Sequence, residues 1–228
     1  MKQLNVVITS GGTSEYIDDV RVLSNISSGK LGAEIANQFI NGGHEVTYVS
    51  PKNAVVPSAY FTGKYGFRPV KDTASVMEVM KDIVPKADVV IMSMAVSDFT
   101  FDLDGAVKLS SGDPEAFVEH MRKTIKKTPK IISYFRKWNP KAILVGFKFT
   151  VGKSKDELLE IATKLMKDNH LNMVLANDKS EMKKNGAHVG MLITPIGMDE
   201  PLVDRLRSKK EIAERIYANV VIVKGNKK

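Results

Sequence analysis

The sequence predicts an α/β fold, a mostly parallel sheet with helices on both faces, plus a projecting loop or hairpin element. Three observations predict it. Short β-branched runs alternate with helical periodicity along most of the chain, the pattern of repeated strand–helix–strand units. The first such run, Asn5–Ser10, leads directly into Gly11-Gly12, so a buried strand ends in a sharp loop. The apolar fraction is 43% of 228 residues, ordinary for a globular chain and too high for extensive disorder.

The elements follow in order. Leu31–Asn41 carries Leu31, Ile35, Ala36, Phe39 and Ile40 on one helical face, and Gly42-Gly43 stops it. Glu45–Val49 resumes as a strand. Ala74–Ile83 reads as helix, Asp88–Met92 as strand, Pro129–Trp138 as helix and Ala142–Phe147 as strand. Lys155–Lys167 then reads as helix, Asn172–Leu175 and Gly190–Thr194 as strands, and Lys209–Ala218 as a closing helix. Lys52–Pro69 and Phe99–Ser111 lack periodicity. Loops of that length belong to flaps, protruding hairpins or interfaces, and a dimer-forming projection is expected at Lys52–Pro69. The final KGNKK reads as a frayed tail.

Charge and composition exclude several classes. The chain has 34 Lys plus Arg against 26 Asp plus Glu. Eight of the basic residues, and no acid, fall between Met121 and Lys141, leaving 26 of each sign elsewhere. One basic segment points to a particular anion or a single contact patch, where a uniformly basic chain would coat nucleic acid. No apolar run approaches the ~18 residues of a membrane span, and the N-terminus enters strand-like sequence with no cleavage-site pattern. The absence of cysteine excludes disulfides, thiolate metal sites and a cysteine nucleophile. The four histidines show no metal-ligand spacing. A cytoplasmic protein with no membrane or nucleic-acid partner is expected.

Two constellations can carry chemistry. Thr9-Ser10-Gly11-Gly12-Thr13 falls where ligands bind in doubly wound sheets, at a strand's carboxyl end. Its glycines allow close backbone approach to a phosphate, and a tight structural turn explains them equally well. Asn25-Ile26-Ser27-Ser28-Gly29-Lys30-Leu31-Gly32 precedes the first helix. Hydroxyls, glycines and a lysine at a helix N-terminus suit an anion. The simpler alternative is N-capping by Ser27 or Ser28.

Here the sequence resembles a known family. Ser10–Thr13, Val20-Arg21 and Ser24–Gly32 look like the signature of phosphopantothenoylcysteine synthetase, or phosphopantothenate–cysteine ligase, of coenzyme A biosynthesis. The likeness continues through Ala95-Val96-Ser97-Asp98-Phe99, Lys108-Leu109-Ser110-Ser111-Gly112, Thr128-Pro129-Lys130-Ile131-Ile132, Val145-Gly146-Phe147-Lys148 and Ala176-Asn177-Asp178. The resemblance implies a Rossmann-like fold, one ligase domain over residues 1–228, and a homodimer. In many bacteria this activity is fused to a flavin-dependent decarboxylase that uses a cysteine. This cysteine-free chain resembles the free-standing form, and no flavin is expected.

The family's reaction activates the carboxylate of 4′-phosphopantothenate as an acyl nucleotidylate with loss of pyrophosphate. The cysteine amine then displaces the nucleotide. By resemblance, Gly11, Gly12, Ser27, Ser28, Gly29 and Gly32 surround the substrate phosphate. Asn25 hydrogen-bonds the acyl group; a neutral amide can donate to a developing oxyanion without adding charge. Lys108 matches the lysine near the reacting carboxylate and nucleotide phosphates, although its Lys108-Leu109-Ser110-Ser111 departs from the usual Lys-x-Lys-Lys, and Lys126 is the alternative.

The resemblance sets the nucleotide along Ser93, Met94, Ala95, Asp98, Pro129, Lys130, Ile131, Ile132 and Phe147, with Met94 standing where many members have alanine. Phe147 either offers its face to the base or fills core. Lys164 and Lys167, which share a helical face, either reach the triphosphate or form a solvated surface. CTP is expected in preference to ATP, with Mg²⁺ neutralising the polyphosphate.

Two other classes compete. Tyr60 and Lys64 have the Tyr-x-x-x-Lys spacing of a nicotinamide oxidoreductase, but Pro57, Gly63 and Gly66 surround them and no GxGxxG follows the first strand. The basic 121–141 segment, with Tyr134, Phe135 and Trp138, suggests an RNA-binding module, although Ile131, Phe135 and Trp138 fall on one apolar helical face.

Overall fold

In this computed structural model residues 2–58, 65–103, 108–109, 112–185, 188–196 and 200–225 are described. In chain order the first half holds β1 (Asn5–Thr9), β2 (Ser14–Tyr16), β3 (Val22–Ser24), α1 (Lys30–Asn41), β4 (Glu45–Ser50), β5 (Tyr65–Pro69), α2 (Thr73–Ile83), β6 (Val89–Met92) and β7 (Phe99–Phe101). The second half holds α3 (Pro114–Thr124), β8 (Ile125–Lys127), α4 (Phe135–Trp138), β9 (Ile143–Thr150), α5 (Lys155–Asp168), β10 (Met173–Asp178), α6 (Lys179–Asn185), β11 (Gly190–Ile196), β12 (Glu200–Leu206) and α7 (Lys209–Gly225).

Eight strands form one sheet in the order β12-β11-β10-β9-β6-β1-β4-β5. The strands from β5 to β10 run parallel, and the β11–β12 hairpin closes one edge antiparallel. From β1 the chain winds outward through β4 and β5, then returns to build β6, β9 and β10 on the other side. This is the Rossmann-like order, and its switch point lies between β1 and β6, where a crevice opens at the strands' carboxyl ends.

Alternation along the strands divides the core. Val6 and Ile8 join Ile35 and Phe39 of α1 and Ile212 and Ile216 of α7 on one face. Val7 points the other way, to Val76 and Met80 of α2 and Leu158 of α5.

Several expectations need correction. The Pro129–Trp138 segment is not one helix. It is a 3₁₀ turn over Ile131–Tyr134 followed by a single α-turn, because the extended Asn139 before Pro140 ends it. The Lys52–Pro69 segment does not project as a whole. Val55 N–H donates to the Ser28 carbonyl at 3.0 Å, and Tyr48 Oη donates to the Val55 carbonyl at 2.8 Å, so its first part braces α1. Tyr65–Pro69 is strand β5. The Tyr60 and Lys64 pair lies outside the described residues. The projecting elements are instead the β2–β3 hairpin and the β7–β8 pair with α3, which form two separate two-stranded sheets.

His44 is a buried liability of this fold. Its Nδ1 accepts the Leu4 N–H at 3.2 Å, while Nε2 has no partner. Burial, then the N-terminal charge, pushes its pKa down. The unfolded chain therefore binds this proton more readily, so stability is full above the unfolded pKa of ~6.5 and is lost as pH falls below it. The urea midpoint should fall between about pH 6.5 and pH 5. His44→Phe should flatten that fall, with the remainder due to His188, whose pKa burial also lowers. An unchanged slope would place the acid sensitivity elsewhere.

Candidate active site

The first helix begins without a side-chain cap. Its N-cap is Gly29, held at φ 77°, a backbone conformation that favours glycine and offers no capping side chain; the one side-chain contact to the first turn is a long one, Lys30 N–H to Ser28 Oγ at 3.5 Å. Neither Ser27 nor Ser28 is the N-cap residue, and Ser28 keeps only that long bond. The loop is held from behind instead: the buried Ser10 Oγ donates to the Gly29 carbonyl at 2.9 Å. Gly32 brings the helix against the sheet; a Cβ there would lie 2.2 Å from Ser10 Oγ and 2.8 Å from Ser93 Oγ. Free N–H groups and the helix dipole together favour an anion at this terminus.

Three loops cross beside it. The Ala95 carbonyl accepts Thr13 N–H at 3.1 Å and Asn25 Nδ2 at 3.3 Å. Ala95 N–H donates to the Gly11 carbonyl at 2.9 Å. Gly12 lies so close to Asn25 that a Cβ would stand 2.4 Å from its carbonyl oxygen. Gly11 has φ 80°, and a Cβ would meet Ala54 at 2.9 Å. Neither Gly11 nor Gly12 is among the residues lining the cleft. The structure shows them letting these loops cross.

The cleft encloses about 1210 Å³ at the switch point. Asn25, Ser27, Ser28, Gly29 and Gly32 line it on the α1 side; Ser93, Met94, Ala95, Asp98, Pro129, Lys130, Ile131, Ile132 and Phe147 line it beyond β6. Within that second group Met94, Ile131 and Ile132 turn their side chains into the core, so their backbone borders the cleft more than their apolar tips. Phe147 is half-buried, packed on the core and lining the cleft together.

Four lysines expected near the substrates are not among the residues lining the cleft. Lys164 and Lys167 border a separate shallow depression on α5, with Lys164 paired to Asp168 at 3.1 Å. Lys126 pairs with Asp102. Lys108 is exposed and outside the lining, on a segment held against the β2–β3 hairpin. Strand alternation explains the Lys126 result: its neighbour Lys127 faces the other way and lines the cleft.

Sequence reasoning also missed most of the charge. Lys30, Lys127, Lys130, Lys148, Lys179 and Lys209 line the cleft against one carboxylate, Asp98. They come from separate elements, so no sequence pattern groups them; only Lys127 and Lys130 belong to the basic 121–141 segment. The rest of that segment is spent otherwise. Arg122 and Lys123 pair with Glu119 at 3.0 and 3.3 Å. Arg136 donates to the carbonyls of Pro140, Ala142 and His170. Tyr134 stacks on Trp138, and Phe135 is buried.

Two further groups lie at the end of β10 and just before β11. His188 lines the cleft with its Nε2 3.3 Å from Asn177 Nδ2. Burial, then the charge of Lys209, pushes its pKa down to about 4, so it is neutral at pH 7. Asp178 accepts from Thr150 Oγ1 and the N–H groups of Lys153, Gly152 and Ser180, which hold its pKa far below the usual carboxylate range. It braces the loop after β9 while Asn177 faces the cleft.

Among the described residues, no helix is long and apolar enough to cross a membrane. Residues 1–223 match the family described as DNA/pantothenate metabolism flavoprotein C-terminal domain. The chain is 33% identical over 216 residues to the coenzyme A biosynthesis bifunctional protein CoaBC of Thermococcus kodakarensis, covering 94% of this chain and 50% of that protein. It is 30% identical over 223 residues to the Bacillus subtilis protein of the same name, covering 94% and 51%. The chain thus spans about half the length of the curated relatives it matches.

Among solved structures, the DNA/pantothenate metabolism flavoprotein from Streptococcus pneumoniae superposes with a TM-score of 0.81 at 30% identity, covering 96% of this chain and 99% of that one. The C-terminal domain of a CoaBC protein superposes with a TM-score of 0.75 at 25% identity, covering 99% and 98%. Fold and sequence agree: the chain belongs to the DNA/pantothenate metabolism flavoprotein C-terminal domain family.

Proposed function

We propose that the chain is a ligase of coenzyme A biosynthesis, joining 4′-phosphopantothenate to L-cysteine through an acyl-nucleotidylate. The observation that carries this reading is the uncapped α1 terminus, with Ser27, Ser28 and Gly29, opening into a cleft lined by six lysines and one carboxylate. Such a cleft suits two phosphate-rich substrates at once.

A carboxylate oxygen of phosphopantothenate attacks the α-phosphorus of a nucleoside triphosphate, and pyrophosphate leaves. The cysteine amine then attacks the acyl carbon; the nucleoside monophosphate leaves and the amine loses a proton. The substrate's own phosphate sits at the α1 terminus. Lys127, Lys130 and Lys148 face the triphosphate, where charge-assisted hydrogen bonds offset its negative charge. Asn25 keeps one amide N–H beyond its bond to Ala95 and aims it at the acyl oxygen. Lys108 acts at the reacting carboxylate from outside the cleft lining.

The reading takes CTP as nucleotide, with ATP the alternative, on the resemblance to bacterial members. Among the described residues no group of three or more His, Asp or Glu could hold a metal, and Asp98 is the one carboxylate lining the cleft. Mg²⁺ therefore fits best as an ion carried on the triphosphate, lowering its charge. A homodimer is supported by exposed Val20, Val22 and Leu23 near the β2–β3 hairpin and exposed Phe99, Val118 and Ile125 on the β7–α3–β8 unit, apolar side chains that a second copy would cover.

The deciding experiment measures pyrophosphate release with phosphopantothenate, cysteine and each nucleoside triphosphate in turn. Release with one nucleotide, dependent on phosphopantothenate, supports the reading; no release with any rejects it. Lys127 and Lys126 offer a second check. Lys127→Gln should raise the nucleotide KM by about 10- to 100-fold, since a charge-assisted bond contributes ~1.5–3 kcal/mol. Lys126→Gln, whose partner is Asp102, should change it by less than about twofold. Equal effects would remove Lys127 from the triphosphate.

A further inference from the structure

Asp18 and Arg21 lie in the turn between β2 and β3, outside the cleft lining, and their contacts exceed what a turn needs. Asp18 is 2% exposed. It accepts the N–H groups of Val20 and Arg21 at 2.9 and 2.7 Å and pairs with Arg21 Nη1 at 2.9 Å. Burial alone would raise its pKa, but the Val20, Arg21 and Leu109 N–H donors and the Arg21 charge outweigh it and keep the carboxyl ionised.

Two further bonds leave the hairpin and reach one residue. Asp18 Oδ2 accepts Leu109 N–H at 3.2 Å, and Arg21 Nη2 donates to the Leu109 carbonyl at 3.3 Å. Arg21 also lies over the Phe117 ring of α3, 5.2 Å from its centroid. Both backbone polar groups of Leu109 are thus held by one ion pair, which fixes the direction of the chain as well as its place. The residue before Leu109 is Lys108. At the other end of the hairpin Ser24 lines the cleft and leads into Asn25.

We infer that Asp18 and Arg21 are positioning residues that set Lys108 relative to Asn25 by clamping the Leu109 backbone to the hairpin. The inference rests on the proposed role of Lys108 at the reacting carboxylate. The clamp holds the backbone, and the long lysine stem supplies the reach from there.

The test is a double-mutant cycle read by phosphopantothenate-dependent exchange of pyrophosphate into the nucleoside triphosphate. Lys108→Gln should lower exchange by about 100-fold or more. Arg21→Ala should lower kcat for exchange by about 10- to 100-fold, the effect of a misplaced catalytic group, with the nucleotide KM nearly unchanged. Combined with Lys108→Gln, Arg21→Ala should have no further effect, because it acts through the lysine. Arg21→Lys keeps the charge but not the fork and should fall between; it carries the same cycle if Arg21→Ala does not fold.

Additive losses in the double variant, or full exchange with Arg21→Ala, would overturn the clamp while leaving Lys108 in place. Full exchange with Lys108→Gln alone would reject the role of Lys108 and with it the inference.

Discussion

Asn25→Asp is expected to lower amide formation by about 100-fold or more while leaving the first burst of pyrophosphate intact. Asn25 Nδ2 donates to the Ala95 carbonyl at 3.3 Å, and an amide has a second N–H to offer the acyl oxygen. When the amine attacks, that oxygen gains negative charge. Aspartate cannot donate and would repel it. The first half-reaction develops its charge on the phosphates, among the lysines, and does not depend on this donor. The fold should persist, because a carboxylate near the uncapped α1 terminus is favoured by the helix dipole. Single-turnover quenching would show acyl-nucleotidylate accumulating. Amide formation at the wild-type rate, or loss of the burst, would remove Asn25 from the second step.

The core of the fold was legible because its elements carry clean periodicity. Strands such as β1 and β6 are buried on both faces and read as unbroken apolar runs, and α1 and α5 show one apolar stripe each. What escaped had no such signal. α3 buries no residue, resting on the small sheets beside the core. β5 and β12 are edge strands, one ending in Pro69 and the other containing Pro201, and proline is tolerated only where a ladder N–H is not required.

The candidate site divides in the same way. Contiguous stretches, Asn25–Gly32 and Ser93–Asp98, were legible because a loop at a strand's carboxyl end stays local in sequence. The cleft lysines were not, since Lys127, Lys148, Lys179 and Lys209 sit on different elements and meet only in three dimensions. The basic segment drew attention by its density, yet half of its eight charges serve ion pairs and backbone carbonyls. Density along the chain is a poor guide to density in space.

Gly12→Ala is expected to damage fold and activity together. The added Cβ would stand 2.4 Å from the Asn25 carbonyl oxygen, and a backbone atom cannot rotate away as a side chain can. Gly12 is also tied to Ala95 by a parallel bridge, and Ala95 holds Asn25. Relief therefore requires the β1–β2 and β3–α1 loops to separate, which moves Asn25 with them. Overpacking of this kind costs about 3 kcal/mol, a fall in Tm of roughly 6–12 °C for a chain of this size. A displacement near 1 Å would add a loss of roughly 100-fold in amide formation. Gly66→Ala is the control. It lies in β5, has no unusual φ, and its Cβ would find its nearest neighbour at 4.0 Å, so Tm should hold or rise slightly as the unfolded chain loses freedom. If Gly12→Ala keeps wild-type Tm and activity, the loop crossing at Ala95 does not set the position of Asn25.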